Sequence, residues 1–151
     1  WEAQVRRPEL ERRQMLLRDS IHSRKVRYNY HSAEVSYLEA VMARGNRRLS
    51  DVIYEAHKQG IRFDAWDEYF DYKKWMECFA TCGIDPDFYA CREIPEDEIL
   101  PWDFIDCGVS KKYLLKERHK AYAGDASHSC KDGCGGCGAD KMGECLCRSQ
   151  K

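Results

Sequence analysis

The sequence contains no apolar run approaching 18 residues, so no stretch of it reads as a membrane span. Its first residues lack the apolar segment of a signal peptide. No G-x-x-x-x-G-K-S/T, H-E-x-x-H or G-x-S-x-G pattern occurs, which removes the simplest signatures of a phosphate loop, a zinc protease and a nucleophile elbow. No internal repeat is visible, so a solenoid is not expected. Neither sign of charge dominates, with a net charge of −1, so the chain lacks the basic excess of a typical nucleic-acid footprint. Its nine cysteines are odd in number and form no regular framework along the chain. With no signal peptide, that usage favours the reducing cytoplasm.

What is present is enough for one domain. The 151 residues include four Trp, nine Tyr and five Phe, which supply a real core. The chain opens on Trp1 and its first methionine is Met15, so we expect a piece of a longer protein. Charge is unevenly spread. Residues 1–27 hold eight Lys/Arg against four Asp/Glu, residues 64–106 three against thirteen, and residues 107–151 nine against five. Solvated helix faces and internal pairing account for such blocks.

Caps, apolar stripes and glycine stops predict about five helices. Pro8 suits a first helical position, and Leu10, Leu17 and Ile21 recur near helical spacing, predicting a helix over 8–22. Residues 25–30 alternate, with Val26, Tyr28 and Tyr30 on one face, and read as the one strand. Ser32 and Gly45 bracket a second helix with Val35, Leu38, Val41 and Met42 as its stripe. A third follows over 47–59, with Leu49, Val52, Ile53 and Ala56 on its apolar face and Gly60 as its stop. The loop 64–70 is acidic and aromatic, and Trp66 is expected to pin it to the core. Asp71 caps a helix over 72–82 that presents Trp75, Met76 and Phe79, and Gly83 closes it. Cys78 and Cys82 lie beside that stripe and read as structural. Asp85-Pro86 restarts a short turn, and Trp102 should anchor the irregular stretch 91–106. Ser110 caps a last helix over 111–123, with Tyr113, Leu114 and Leu115 inward and Gly124 at its end.

The chemistry concentrates in the tail. Five cysteines fall between Cys130 and Cys147 among glycines 133, 135, 136, 138 and 143. Almost nothing there can build a core, so order must come from a metal, a cluster or disulfides. The steps Cys130-x3-Cys134 and Cys134-x2-Cys137 suit tetrahedral zinc and iron–sulfur ligation equally. Cys130, Cys134 and Cys137 are expected to hold one centre, with Cys145 or Cys147 as fourth ligand and His128 in reserve. Cys145 and Cys147 are two apart, which makes joint ligation of one tetrahedral centre awkward. The expected architecture is mainly α, with a helical region over 1–124 and a Gly/Cys-rich metal-binding tail over 125–151.

Three runs carry a resemblance: Ser36-Tyr-Leu-Glu-Ala-Val-Met-Ala-Arg-Gly-Asn-Arg-Arg-Leu49, Phe63-Asp-Ala-Trp-Asp-Glu-Tyr-Phe70 and Leu100-Pro-Trp-Asp-Phe-Ile-Asp-Cys-Gly-Val-Ser-Lys-Lys-Tyr-Leu114. Together they resemble the C-terminal part of a bacterial family of radical S-adenosylmethionine (SAM) proteins with an N-terminal cobalamin-binding-like domain. That family also ends in a Cys-x3-Cys-x2-Cys-Gly tail, matched by Cys130, Cys134, Cys137 and Gly138; Cys145 and Cys147 go beyond it. The resemblance spans roughly residues 20–138. It implies an enzyme whose 4Fe–4S cluster, SAM and, in some members, cobalamin are bound upstream of this chain. Only 14 residues follow Cys137, too few for the barrel that follows a SAM-binding cysteine loop. The segment 25–30 would then be a late strand of the α/β barrel, the helices an accessory layer, and the partner the rest of the parent protein. The competing expectation is a helical module with a zinc-knuckle-like tail that docks RNA or a protein. Its motif is the glycine-rich tail with Lys111, Lys112, Lys131 and Lys141.

Overall fold

The computed structural model describes residues 1–143. They form six α-helices and one 3₁₀ turn, with no strand among the described residues. The protein is therefore mainly α. None of these helices is long and apolar enough to cross a membrane. The chain divides into two compact units, Trp1–Pro101 and a second beginning at Trp102.

In the first unit, α1 (Arg7–Ser20) carries Pro8 and Glu9 in its first turn. Arg12 and Arg13 both bond that carboxylate, and their guanidinium groups pull its pKa down to about 2. The stripe expected of α1 is not a core stripe, because the helix buries no residue. Polar ties hold it instead: Arg7 Nη1 to Glu34 at 2.8 Å, and Gln14 Nε2 to the His31 carbonyl at 3.0 Å. The predicted strand at 25–30 is also absent. These residues lie outside any ladder, and Val26 and Tyr30 are exposed. A strand needs a partner edge to satisfy its backbone groups, and no described segment supplies one.

α2 (Ala33–Ala43) begins where Ser32 Oγ accepts the Val35 amide at 3.2 Å. It buries Tyr37, Leu38 and Val41. Gly45 follows it for a reason other than a left-handed stop. A Cβ there would sit 2.9 Å from the Val41 carbonyl oxygen and against the Leu49 side chain, so the next helix crowds in. α3 (Leu49–Lys58) buries Leu49, Val52 and Ala56. α4 (Tyr72–Thr81) starts where Asp71 accepts the Lys74 amide at 3.0 Å, and it buries Trp75, Cys78 and Phe79. α5 (Pro86–Ala90) is capped by Asp85 and buries Tyr89 and Ala90. These inward faces form one cluster, in which Val41, Val52, Cys78 and Phe79 are fully enclosed. Cys82 packs half-buried against it.

Two expected core residues of this unit lie elsewhere. Val52 is 0% exposed, but its neighbour Ile53 is 51% exposed. The apolar stripe of α3 is wider than the seam that its neighbours cover. Trp66 is more than half exposed and packs edge-on to Phe63, ring centroids 6.0 Å apart.

A polar knot joins α2 and α5 to the segment before α1. Tyr37 Oη donates to Asp87 Oδ1 at 2.6 Å, Arg6 pairs with Asp87 Oδ2, and the Cys91 thiol lies 3.5 Å from Oδ1. The Tyr37 hydroxyl holds the Asp87 carboxyl below its ordinary range, with Arg6 and Cys91 assisting against burial. Burial, then the hydrogen bond to Asp87 and its charge, pushes the Tyr37 phenol far up, so tyrosine is the donor.

The second unit is built on α6 (Lys111–Ala123). Ser110 Oγ accepts the Tyr113 amide at 3.2 Å, and Gly124 ends the helix at φ +74°. The Asp125 amide then reaches back to the Lys120 carbonyl at 2.9 Å, the closure expected of a left-handed stop. No α6 residue is fully buried. Tyr113 and Leu115 are half-buried and Leu114 is exposed, so the predicted inward face is only partly covered. Trp102 is likewise exposed rather than anchored. A small unit with few apolar side chains buries little.

Candidate metal centre

The glycine-rich tail lies along the first turn of α6. The Ser110 amide donates to the Cys137 carbonyl at 2.9 Å. A Cβ at Gly138 would come within 2.9 Å of the Gly108 carbonyl oxygen, and one at Gly135 would meet the Tyr113 ring at 3.4–3.5 Å. A Cβ at Gly108 would in turn strike the Met142 side chain at 2.6 Å. Small residues on both segments are therefore what allow this approach. The 3₁₀ turn Ala139–Lys141 follows directly.

Two cysteines of the tail share one local geometry. Cys134 Sγ accepts the Gly136 amide at 3.4 Å, and Cys137 Sγ accepts the Ala139 amide at 3.5 Å. In each case the amide two residues on folds back onto the sulfur. Gly138, left-handed at φ +101°, is the residue that turns the Ala139 amide onto Cys137, whereas Gly136, at φ +74°, itself carries the amide that meets Cys134. Backbone N–H groups aimed at sulfur are contacts that a metal-bound thiolate accepts from the shell around it. Tyr113 lies near enough to Cys137 and Cys130 for both thiols to help raise its phenol pKa, after burial and Glu117.

The remaining expected ligands are placed less closely. Cys130 and Cys134 are exposed and Cys137 is half-buried, all as free thiols. His128 is exposed, its Nδ1 3.1 Å from the Ser129 carbonyl oxygen. Among the described residues, no three His, Cys, Asp or Glu side chains gather into a group able to hold a metal. Cys145 and Cys147 lie outside the described residues. Cys134 and Cys137 thus each accept an N–H···S contact, and no described group of three donors gathers around them.

Sequence reasoning missed the partner surface of the tail. Gly108, Ser110 and Tyr113 receive it, and only the small residue at 108 hinted at a close approach. Cys107, exposed with its sulfur 3.9 Å from the Val109 carbonyl oxygen, heads the same segment and was not weighed as a ligand. Past α6, Glu117 binds Ser127 and Lys120, which lowers its pKa and returns the chain toward the helix. No family model matches the chain, and no curated protein or solved structure matches it significantly.

Proposed function

We propose that this chain is the helical C-terminal part of a radical SAM enzyme carrying a cobalamin-binding-like domain, and that its tail holds a metal centre. Cys130, Cys134 and Cys137 would be its ligands, completed by Cys145, Cys147 or His128. The observation that carries the tail reading is the pair of matching N–H···S turns at Cys134 and Cys137. Bound there, zinc would act as a structural staple, and an iron–sulfur cluster would add a redox centre auxiliary to the one implied upstream. The three matched sequence runs and the mainly helical fold support the wider assignment.

An anaerobically prepared sample tests the tail. Brown colour with stoichiometric iron and sulfide identifies a cluster, and a colourless sample with one zinc identifies a structural site. Cys134→Ser should release the metal while the helical CD signal persists. A metal-free preparation whose tail cysteines all react with a thiol reagent overturns the reading. Thiolate ligation releases protons, so affinity should fall as pH drops below neutral. The wider assignment fails if the full-length parent, reconstituted with iron and sulfide, never cleaves SAM.

A second reading, a module that docks RNA, has one feature in its favour. Lys112, Lys116, His119 and Lys120 line a single groove along α6. Phosphate binding there would weaken steeply with salt. Absence of RNA binding at low salt removes it.

A further inference from the structure

The first unit contains a cavity of about 880 Å³, walled by α2, α3, α4 and the turn before α4. That volume falls within the range of about 300–1,000 Å³ typical of small-molecule sites. Its charged lining has one sign. Glu39, Asp64, Asp67 and Glu68 line it with no lysine or arginine, and His31 is the one basic side chain among them. Trp66 and Trp75 supply aromatic surface.

Two polar atoms in this lining lack partners. Trp75 is only 7% exposed, and its Nε1–H is buried with nothing to donate to. Asp64 Oδ1 is shut from solvent and accepts no hydrogen bond. Buried polar groups are normally satisfied, and an orphan pair of donor and acceptor in one cavity invites an explanation. The position of Ile53 fits the same picture. It lines the cavity, which is why a residue on the apolar side of α3 stands half-exposed beside the buried Val52.

We propose that this cavity binds a small organic cation, an amine on an apolar or aromatic body that also carries an oxygen acceptor. Its ammonium donates to Asp64, and its oxygen accepts the Trp75 N–H. Its body lies against Trp66, where a cation near an indole face gains further attraction. Four carboxylates against the single imidazole of His31 disfavour an anion of the same shape. This site is built from residues of the first unit alone and does not depend on the metal proposal.

The test uses the 151-residue chain and one scaffold in three charge states: tyramine, 4-ethylphenol and 4-hydroxyphenylacetate. A panel of primary aryl and alkyl amines runs beside them, and binding is followed by NMR at the indole N–H signals. Tyramine should bind saturably and shift the Trp75 and Trp66 signals. The neutral phenol should bind about tenfold more weakly, and the carboxylate more weakly still. Asp64→Asn should weaken tyramine by about tenfold or more and leave 4-ethylphenol unchanged, since a hydrogen bond to a charged group outweighs a neutral one. Trp75→Phe should weaken tyramine but not phenethylamine, which lacks the oxygen. The proposal is overturned if no amine of the panel binds by about 10 mM, well below the affinity of ordinary sites. Equal affinity across the three charge states also overturns it. So does an Asp64→Asn protein, folded by CD, that binds tyramine as tightly as the parent.

Discussion

Phe79 is the residue whose loss the first unit should feel most. It is 1% exposed, among the largest enclosed side chains, and sits on α4 one turn beyond Trp75. Phe79→Ala removes the ring from the core cluster to which α2, α3, α4 and α5 all contribute. The transfer cost of a buried phenylalanine is about 2 kcal/mol. A residual cavity of about 80 Å³ adds about 2 kcal/mol at ~24 cal/mol per Å³. The sum, about 4 kcal/mol, is a large share of the about 5–15 kcal/mol that holds a typical domain. Phe79→Leu keeps much of the volume and should cost only about 1–1.5 kcal/mol.

Urea unfolding followed by indole fluorescence gives the reading. Trp102 belongs to the second unit, so a Trp102→Phe background leaves Trp1, Trp66 and Trp75, all in the first. With a urea slope of about 1.5 kcal/mol per M, Phe79→Ala should lower the midpoint by about 2–3 M. Ile99→Ala is the control. Ile99 is 85% exposed, and its truncation should stay within about 0.5 kcal/mol. A Phe79→Ala loss below about 1 kcal/mol, or one equal to that of Ile99→Ala, would refute the packing described for α4.

Four further expectations follow from single contacts. Asp87 has its pKa lowered by Tyr37 first, so its stabilisation is complete above the unfolded carboxylate value near pH 4 and fades as pH falls through the folded value; urea midpoints from pH 6 to 2 should drop more for the parent than for Asp87→Asn. Tyr37→Phe should cost about 1–2 kcal/mol at pH 7 by stripping a donor from that carboxylate, and no loss would show the knot to be idle. Ser110→Ala should destabilise α6 by about 1 kcal/mol, read as faster amide exchange in its first turn, with Ser110→Gly much milder. Gly138→Ala combines a left-handed φ with a clash on the Gly108 carbonyl, so Cys137 should react faster with a thiol reagent, whereas Gly143→Ala, with open space around it, should change nothing.

Helix starts were legible because capping is local chemistry. Ser32, Asp71, Asp85 and Ser110 each bond an amide two or three residues on, and nothing distant is needed to see it. Burial was legible only at the centre of each stripe. Val41, Val52 and Phe79 are enclosed whatever the crossing angle, but Ile53 lies at an edge where the angle of the next helix decides. Trp66 misled for a related reason. An aromatic in an acidic loop reads as an anchor, but its ring packs on Phe63 and lines a cavity instead. The segment at 25–30 alternates as a strand does, and alternation alone supplies no partner edge.

The tail shows why glycine is hard to read without a structure. At Gly124 the left-handed φ ends a helix in open space, and the sequence context of Ser110 and Gly124 around an apolar run was enough to place it. At Gly138 the same type of φ occurs where another backbone also occupies the Cβ position. Composition assigned all the tail glycines to wrapping a metal. The contacts divide them: Gly138 turns the Ala139 amide onto sulfur and lets the chain lie against the Gly108 carbonyl, Gly136 donates its own amide to Cys134, and Gly135 lies beside Tyr113 with room for a Cβ. Gly138 does both. A substitution there therefore perturbs the docking surface and the thiolate geometry together, whereas Gly135 touches only the Tyr113 ring. Replacing Gly135 with alanine adds a Cβ in ordinary contact with the Tyr113 side chain, at 3.4–3.5 Å, and leaves both N–H···S turns intact. Metal retention in Gly135→Ala with loss in Gly138→Ala would separate ligation from docking, two roles that cysteine spacing alone runs together.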